Sequence, residues 1–115
     1  DTVSELNTAT NSVTRTFDTG DGPYGVAVAP GGERIYVSNT LEDTVTVIAT
    51  ATGQIVNTVP VGDFPHGIAV TPDGKRVFVA NHSSDSISVL QVPANAILDT
   101  IATGNGPISL AVSPD

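Results

Sequence analysis

The chain contains no cysteine, no methionine and no tryptophan, and aromatic residues make up only 4% of it. Without cysteine there are no disulfides, no thiol nucleophiles and no thiolate metal sites. Bases are scarce too: four Lys and Arg stand against twelve Asp and Glu, a net charge of −8. Arg15, Arg34, Lys75 and Arg76 form no continuous stripe, so nucleic acid is not an expected partner. No apolar run approaches the roughly 18 residues of a membrane span. The opening Asp1-Thr2-Val3-Ser4 has neither a basic start nor an apolar stretch, so no signal peptide is expected within these 115 residues. Helical periodicity is missing as well; no window of ten residues shows it.

What is present is a repeat. An offset of 42 residues aligns the chain with itself without a gap. Asp1-Thr2-Val3-Ser4 matches Asp43-Thr44-Val45-Thr46 and Asp85-Ser86-Ile87-Ser88. Gly20-Asp21-Gly22-Pro23 matches Gly62-Asp63-Phe64-Pro65 and Gly104-Asn105-Gly106-Pro107. Ile35-Tyr36-Val37-Ser38-Asn39 recurs as Val77-Phe78-Val79-Ala80-Asn81.

Each unit reads as four short strands, here lettered A to D. In the second unit they are Gly25–Ala29, Arg34–Ser38, about Thr44–Ala49 and Gln54–Val59. They are rich in Val, Ile and Thr and bounded by Gly, Pro, Asn and Asp, as strands are. Pro72-Asp73-Gly74-Lys75 is a strong hairpin signal, because Asp-Gly supplies the positive φ that a tight turn needs. Four antiparallel strands per unit of this length describe a propeller blade. The expected fold is all-β, with about 2.7 blades: strands C and D of a first blade over 1–20, a second over 23–62, a third over 65–104, and the inner strand of a fourth over 107–115. Small residues on strand A (Gly25, Ala27, Gly67, Ala69) suit the crowded inner position. Tyr36 and Phe78 on strand B are expected between blades, and strand C, alternating Val or Ile with Thr or Ser, toward the solvated rim.

Tyr36-Val37-Ser38-Asn39 and Phe78-Val79-Ala80-Asn81, with the Gly-x-x-Pro-x-Gly-Ile/Val-Ala-Val segments before them, resemble the YVTN-type β-propeller repeat. The resemblance covers the whole chain. It implies an extracytoplasmic protein of a prokaryotic cell surface or periplasm, and it extends to lactonase-like and quinoprotein dehydrogenase-like propellers. The third unit departs from the pattern, with Ser109 for Gly25 and Gly67, and Pro93-Ala94-Asn95 for the Thr-x-Thr-Gly turn.

In such a blade the D–A and B–C connections share one end of the ring. Tyr24, His66 and Ile108 then occupy equivalent positions at the channel mouth, with Phe64 and His82 beside them. Different residues on one repeated frame are what a recognition surface requires. His66 and His82 fall at the same end of one hairpin, and with Asp63 or Asp85 they form a weak metal candidate; loop histidines facing solvent are the plainer reading. Asp1, Asp43 and Asp85 recur in every unit and so read as loop-holding acceptors rather than catalytic carboxylates. Asn39 and Asn81 read as turn formers. Gly104-Asn105-Gly106-Pro107 lacks the Lys-Ser/Thr and helix of a phosphate loop.

The expected function is a non-catalytic binding or scaffold module recognising a protein or glycan through the loop end. The alternative is part of a propeller enzyme with catalytic residues at the channel mouth. No cofactor is expected. The other expected partners are further blades or copies of the chain, since Val3 and Phe17 at one end, and Ile101 and Leu110 at the other, are expected to expose apolar blade faces.

Overall fold

A computed structural model describes residues 1–93 and 96–114. Among the described residues there are ten strands and no helix. Strands β1 (Thr2–Asn7) and β2 (Ser12–Asp18) form a two-stranded sheet. The strands β3 (Pro23–Val28), β4 (Arg34–Asn39), β5 (Thr44–Ala49) and β6 (Gln54–Pro60) form an antiparallel sheet in that order. A second four-stranded sheet repeats the arrangement with β7 (Pro65–Val70), β8 (Arg76–Asn81), β9 (Ser86–Gln91) and β10 (Ala96–Ala102). In both sheets the first two strands pair with the same irregularity, Pro23 to Val26 in one and Pro65 to Ile68 in the other.

The sheets stack face to face, and the period-2 alternation of each strand assigns its side chains to one interface or the other. Tyr36, Val45, Val47 and Val59 pack from the middle sheet against Val77, Val79 and Leu90 of the next. Ile35, Val37 and Ile48 on the opposite face of the middle sheet receive Phe17 and Val3. The two interfaces are one interface repeated. Phe17 stands where Val59 stands, and Ile35, Val37 and Ile48 where Val77, Val79 and Leu90 stand.

Two expectations require correction. Val3 and Phe17 do not form an open end: Phe17 is 2% exposed, because their side of the first sheet faces the middle blade. Strand C is not at the solvated rim. β5 is buried almost throughout, since both faces of its blade are covered, and the exposed outer strands are β6 and β10. Its alternating polar side chains are buried and satisfied internally instead. Asn39 donates from Nδ2 to Thr46 Oγ1 at 2.7 Å, and Asn81 donates to Ser88 Oγ at 2.9 Å. Over residues 107–114 no strand is assigned, and the described residues include no strand B against which the expected inner strand could pair. The segment docks on β7 through one bond from the Gly67 N–H to the Ile108 carbonyl, at 2.8 Å. Asp115, the last residue of that expected strand, lies outside the described residues, as do Ala94 and Asn95 of the atypical turn.

Candidate functional site: a ring cluster at the loop end

The loop end is built from two kinds of connection that bond to each other. Thr40 and Leu41, in the turn after β4, donate their N–H groups to the carbonyls of Gly22 and Asp21 in the turn before β3. His82 and Ser83, after β8, do the same to Phe64 and Asp63, before β7. The repeated aspartates tie the next layer. Asp1, Asp43 and Asp85 each accept, at 2.8 Å, the N–H of the residue 21 positions on: Gly22, Phe64 and Gly106 respectively. Asp43 and Asp85 adopt positive φ themselves, 56° and 49°, a conformation that short polar side chains tolerate. Asn39 and Asn81 close strand B over strand C from below, each leaving a buried Oδ1 without a partner among the described residues.

On this repeated frame four rings meet across two blades, Tyr24 from the middle blade and Phe64, His66 and His82 from the next. Tyr24 stacks on His66, with centroids 4.2 Å apart and planes at 17°. Phe64 lies 5.2 Å from His66 and 6.1 Å from His82, and the two imidazole centroids are 5.0 Å apart. Tyr24 is 62% exposed and Phe64 40%, whereas His66 beneath them is 9% exposed. The Nδ1 atoms of both histidines are buried without a hydrogen-bond partner. Loss of water around His66, with the neighbouring His82 adding to it, holds its imidazole below the usual histidine value. The lowered value favours the uncharged ring, which can donate or accept a hydrogen bond without the desolvation cost of a buried charge.

The geometry thus gathers Tyr24, Phe64, His66 and His82. Ile108 takes part through its backbone, by the bond from Gly67, while its side chain is half exposed. Among the described residues no group of three or more His, Asp and Glu side chains is placed to hold an ion, and neither Asp63 nor Asp85 completes the pair. Two residues escape a reading of the sequence alone. Ser38 accepts the Gly25 N–H at 2.8 Å and donates to the His66 carbonyl at 2.5 Å, so one hydroxyl joins the inner strands of two blades under the cluster. The other is the backbone of Phe64, at φ 56°, in a place where Gly22 (φ 66°) and Gly106 (φ 59°) stand in the neighbouring units. The substitution of Phe for Gly was visible in the repeat; the sign of φ was not.

Many solved structures share the arrangement. Kuenenia stuttgartiensis hydrazine synthase superposes over 98% of the chain, with a TM-score of 0.94 and 31% identity. A functionally unknown protein from Desulfotomaculum acetoxidans superposes over 98% as well, with a TM-score of 0.86 and 27% identity. The chain spans about a third of the length of each, 33% and 38%. No curated protein sequence matches it. The profile of a family described as lactonase, seven-bladed β-propeller, matches residues 2–105. With nearly the whole repeat array inside that match, the chain belongs to the lactonase family of seven-bladed β-propellers.

Proposed function

We propose that the loop end of this propeller is a recognition face, without chemistry of its own, for a glycan or protein in a prokaryotic cell envelope. The observation that carries this reading is the convergence of Tyr24, Phe64, His66 and His82 from three loops. Tyr24 and His66 are each other's counterparts, with Ile108 in the next unit, while Phe64 corresponds to Gly22 and Gly106 and His82 to Thr40, so the repeat does not need all four rings. Exposed ring faces beside uncharged hydrogen-bonding groups suit a sugar, whose C–H face packs on an aromatic ring while its hydroxyls are bonded at the edge. The YVTN-type motif at Tyr36–Asn39 supports the extracytoplasmic location. Affinity electrophoresis against neutral polysaccharides tests the binding: a soluble β-glucan or mannan should retard the protein, and Tyr24→Ala should abolish the retardation. Migration unaffected by any neutral glycan, with or without Tyr24, would remove the glycan reading. Cell fractionation tests the location.

A second reading has the family match and His66 in its favour: part of a lactone-hydrolysing enzyme. A neutral imidazole can take the proton of a water attacking a lactone carbonyl. Acid release from δ-gluconolactone in a pH-stat, lost in His66→Asn, would favour it over binding alone.

A further inference from the structure

The four rings share a cost that the repeat makes visible. Three units place one residue at the same point of the D–A turn, its N–H held by the aspartate 21 positions before it. All three adopt positive φ: Gly22 at 66°, Phe64 at 56° and Gly106 at 59°. Glycine takes that conformation freely, whereas a bulky side chain takes it against steric repulsion. Such outliers persist where the surrounding structure over-determines them, and they gather at functional sites. Here the bond from Phe64 N–H to Asp43 at 2.8 Å, and the bond from His82 N–H to the Phe64 carbonyl at 3.1 Å, leave the turn no alternative. Only in this unit is the ring present, and only in this unit do two histidines lie under it.

We propose that Phe64 is a positioning residue, retained in a left-handed backbone site that suits glycine because its ring roofs the His66–His82 pair and keeps water off it. The consequence is a subsite in which the His66 imidazole meets a ligand uncharged. This deepens the recognition reading by assigning it a preference for neutral, hydroxyl-bearing partners, and it rests on that reading for its purpose. The titratable groups that face His66 are Tyr24, stacked on it from β3, and His82 from the turn after β8; His82 is the one whose charge acts on it.

The test needs no ligand, so its outcome is independent of whether glycan binding succeeds. Phe64→Ala and Phe64→Gly both remove the ring, and only glycine relieves the backbone. The melting temperature of Phe64→Gly should exceed that of Phe64→Ala by roughly 4–8 °C, the shift expected for relief of a left-handed site in a domain of this size. In both variants the NMR titration midpoint of the His66 ring protons should move upward from the wild-type value, toward that of a solvated histidine. Equal melting temperatures, or a higher one for Phe64→Ala, would show that the turn carries no strain. An unchanged His66 midpoint would show that the ring is not its shield. Either result overturns the proposal.

Discussion

His66 shows at the scale of one side chain how burial becomes pH dependence. Its folded-state value is held below 6.5, chiefly by loss of water. The unfolded chain therefore takes up a proton first. Stability is level above about pH 6.5 and falls as pH drops from there toward the folded-state value. Urea melts between about pH 8 and pH 5 should show that decline, and His66→Ile, which installs the residue found at the equivalent position 108, should flatten it. Asp43 is the second case. Its carboxylate accepts the Phe64 N–H, and Asp43→Ala should lower stability by about 1–2 kcal/mol, with Asp43→Asn retaining most of it because an amide oxygen still accepts. An Asp43→Ala protein with an unchanged melt would contradict the loop-holding role.

Between strands, the decisive quantity is how closely inner strands approach. A Cβ added at Gly67 would stand 2.6 Å from the Ile108 carbonyl oxygen and 2.9 Å from Ser109 Cα, both backbone atoms that cannot swing aside. Gly67→Ala should cost about 1–3 kcal/mol, measurable by chemical denaturation. Ser38 does by side chain what Gly67 does by backbone. Its counterpart is Ala80, and there the Gly67 N–H reaches the next segment's carbonyl directly. In the middle blade the gap is bridged by the hydroxyl, so Ser38→Ala should leave the Gly25 N–H and the His66 carbonyl without it, at roughly 1–3 kcal/mol. A smaller loss than for Gly67→Ala would mean that water enters to replace the hydroxyl.

At the scale of the whole molecule, three sheets of a seven-bladed family leave blade surfaces uncovered. Val26 and Val28 on β3 are 53% and 56% exposed, beside the β1 strand, in a groove of about 510 Å³ that Val3, Phe17 and Ile35 also line. At the other end Phe78, Ile87 and Leu110 line a groove of about 340 Å³. Covering apolar surface is worth about 25 cal/mol per Å², and patches beyond a few hundred Å² are unusual on monomers. The 115-residue chain made alone should self-associate, as light scattering would reveal. Restoring further blades should abolish the association. A monodisperse monomer with a cooperative melt would show that these surfaces do not drive it.

The 42-residue register, carried by Asp43 and Asp85, Asn39 and Asn81, and the two Pro-x-Gly strands, was enough by itself to determine the four-stranded unit and the end of it that bears the loops. Such features are local: turn chemistry and period-2 alternation act over a few residues and leave their mark in composition. The same alternation misplaced strand C, because Thr46 and Ser88 look solvated until Asn39 and Asn81 are seen to bond them in the interior. It also left Val3 and Phe17 as an apparent open end, since a strand's pattern says that one face is apolar but not which neighbour covers it. The pairing of His66 with Tyr24 across two blades, the hydroxyl bridge of Ser38, and the positive φ of Phe64 were decided only by the tertiary structure. Each depends on contacts between units or on a backbone angle imposed from outside the turn. Neither is encoded in the residue that bears it.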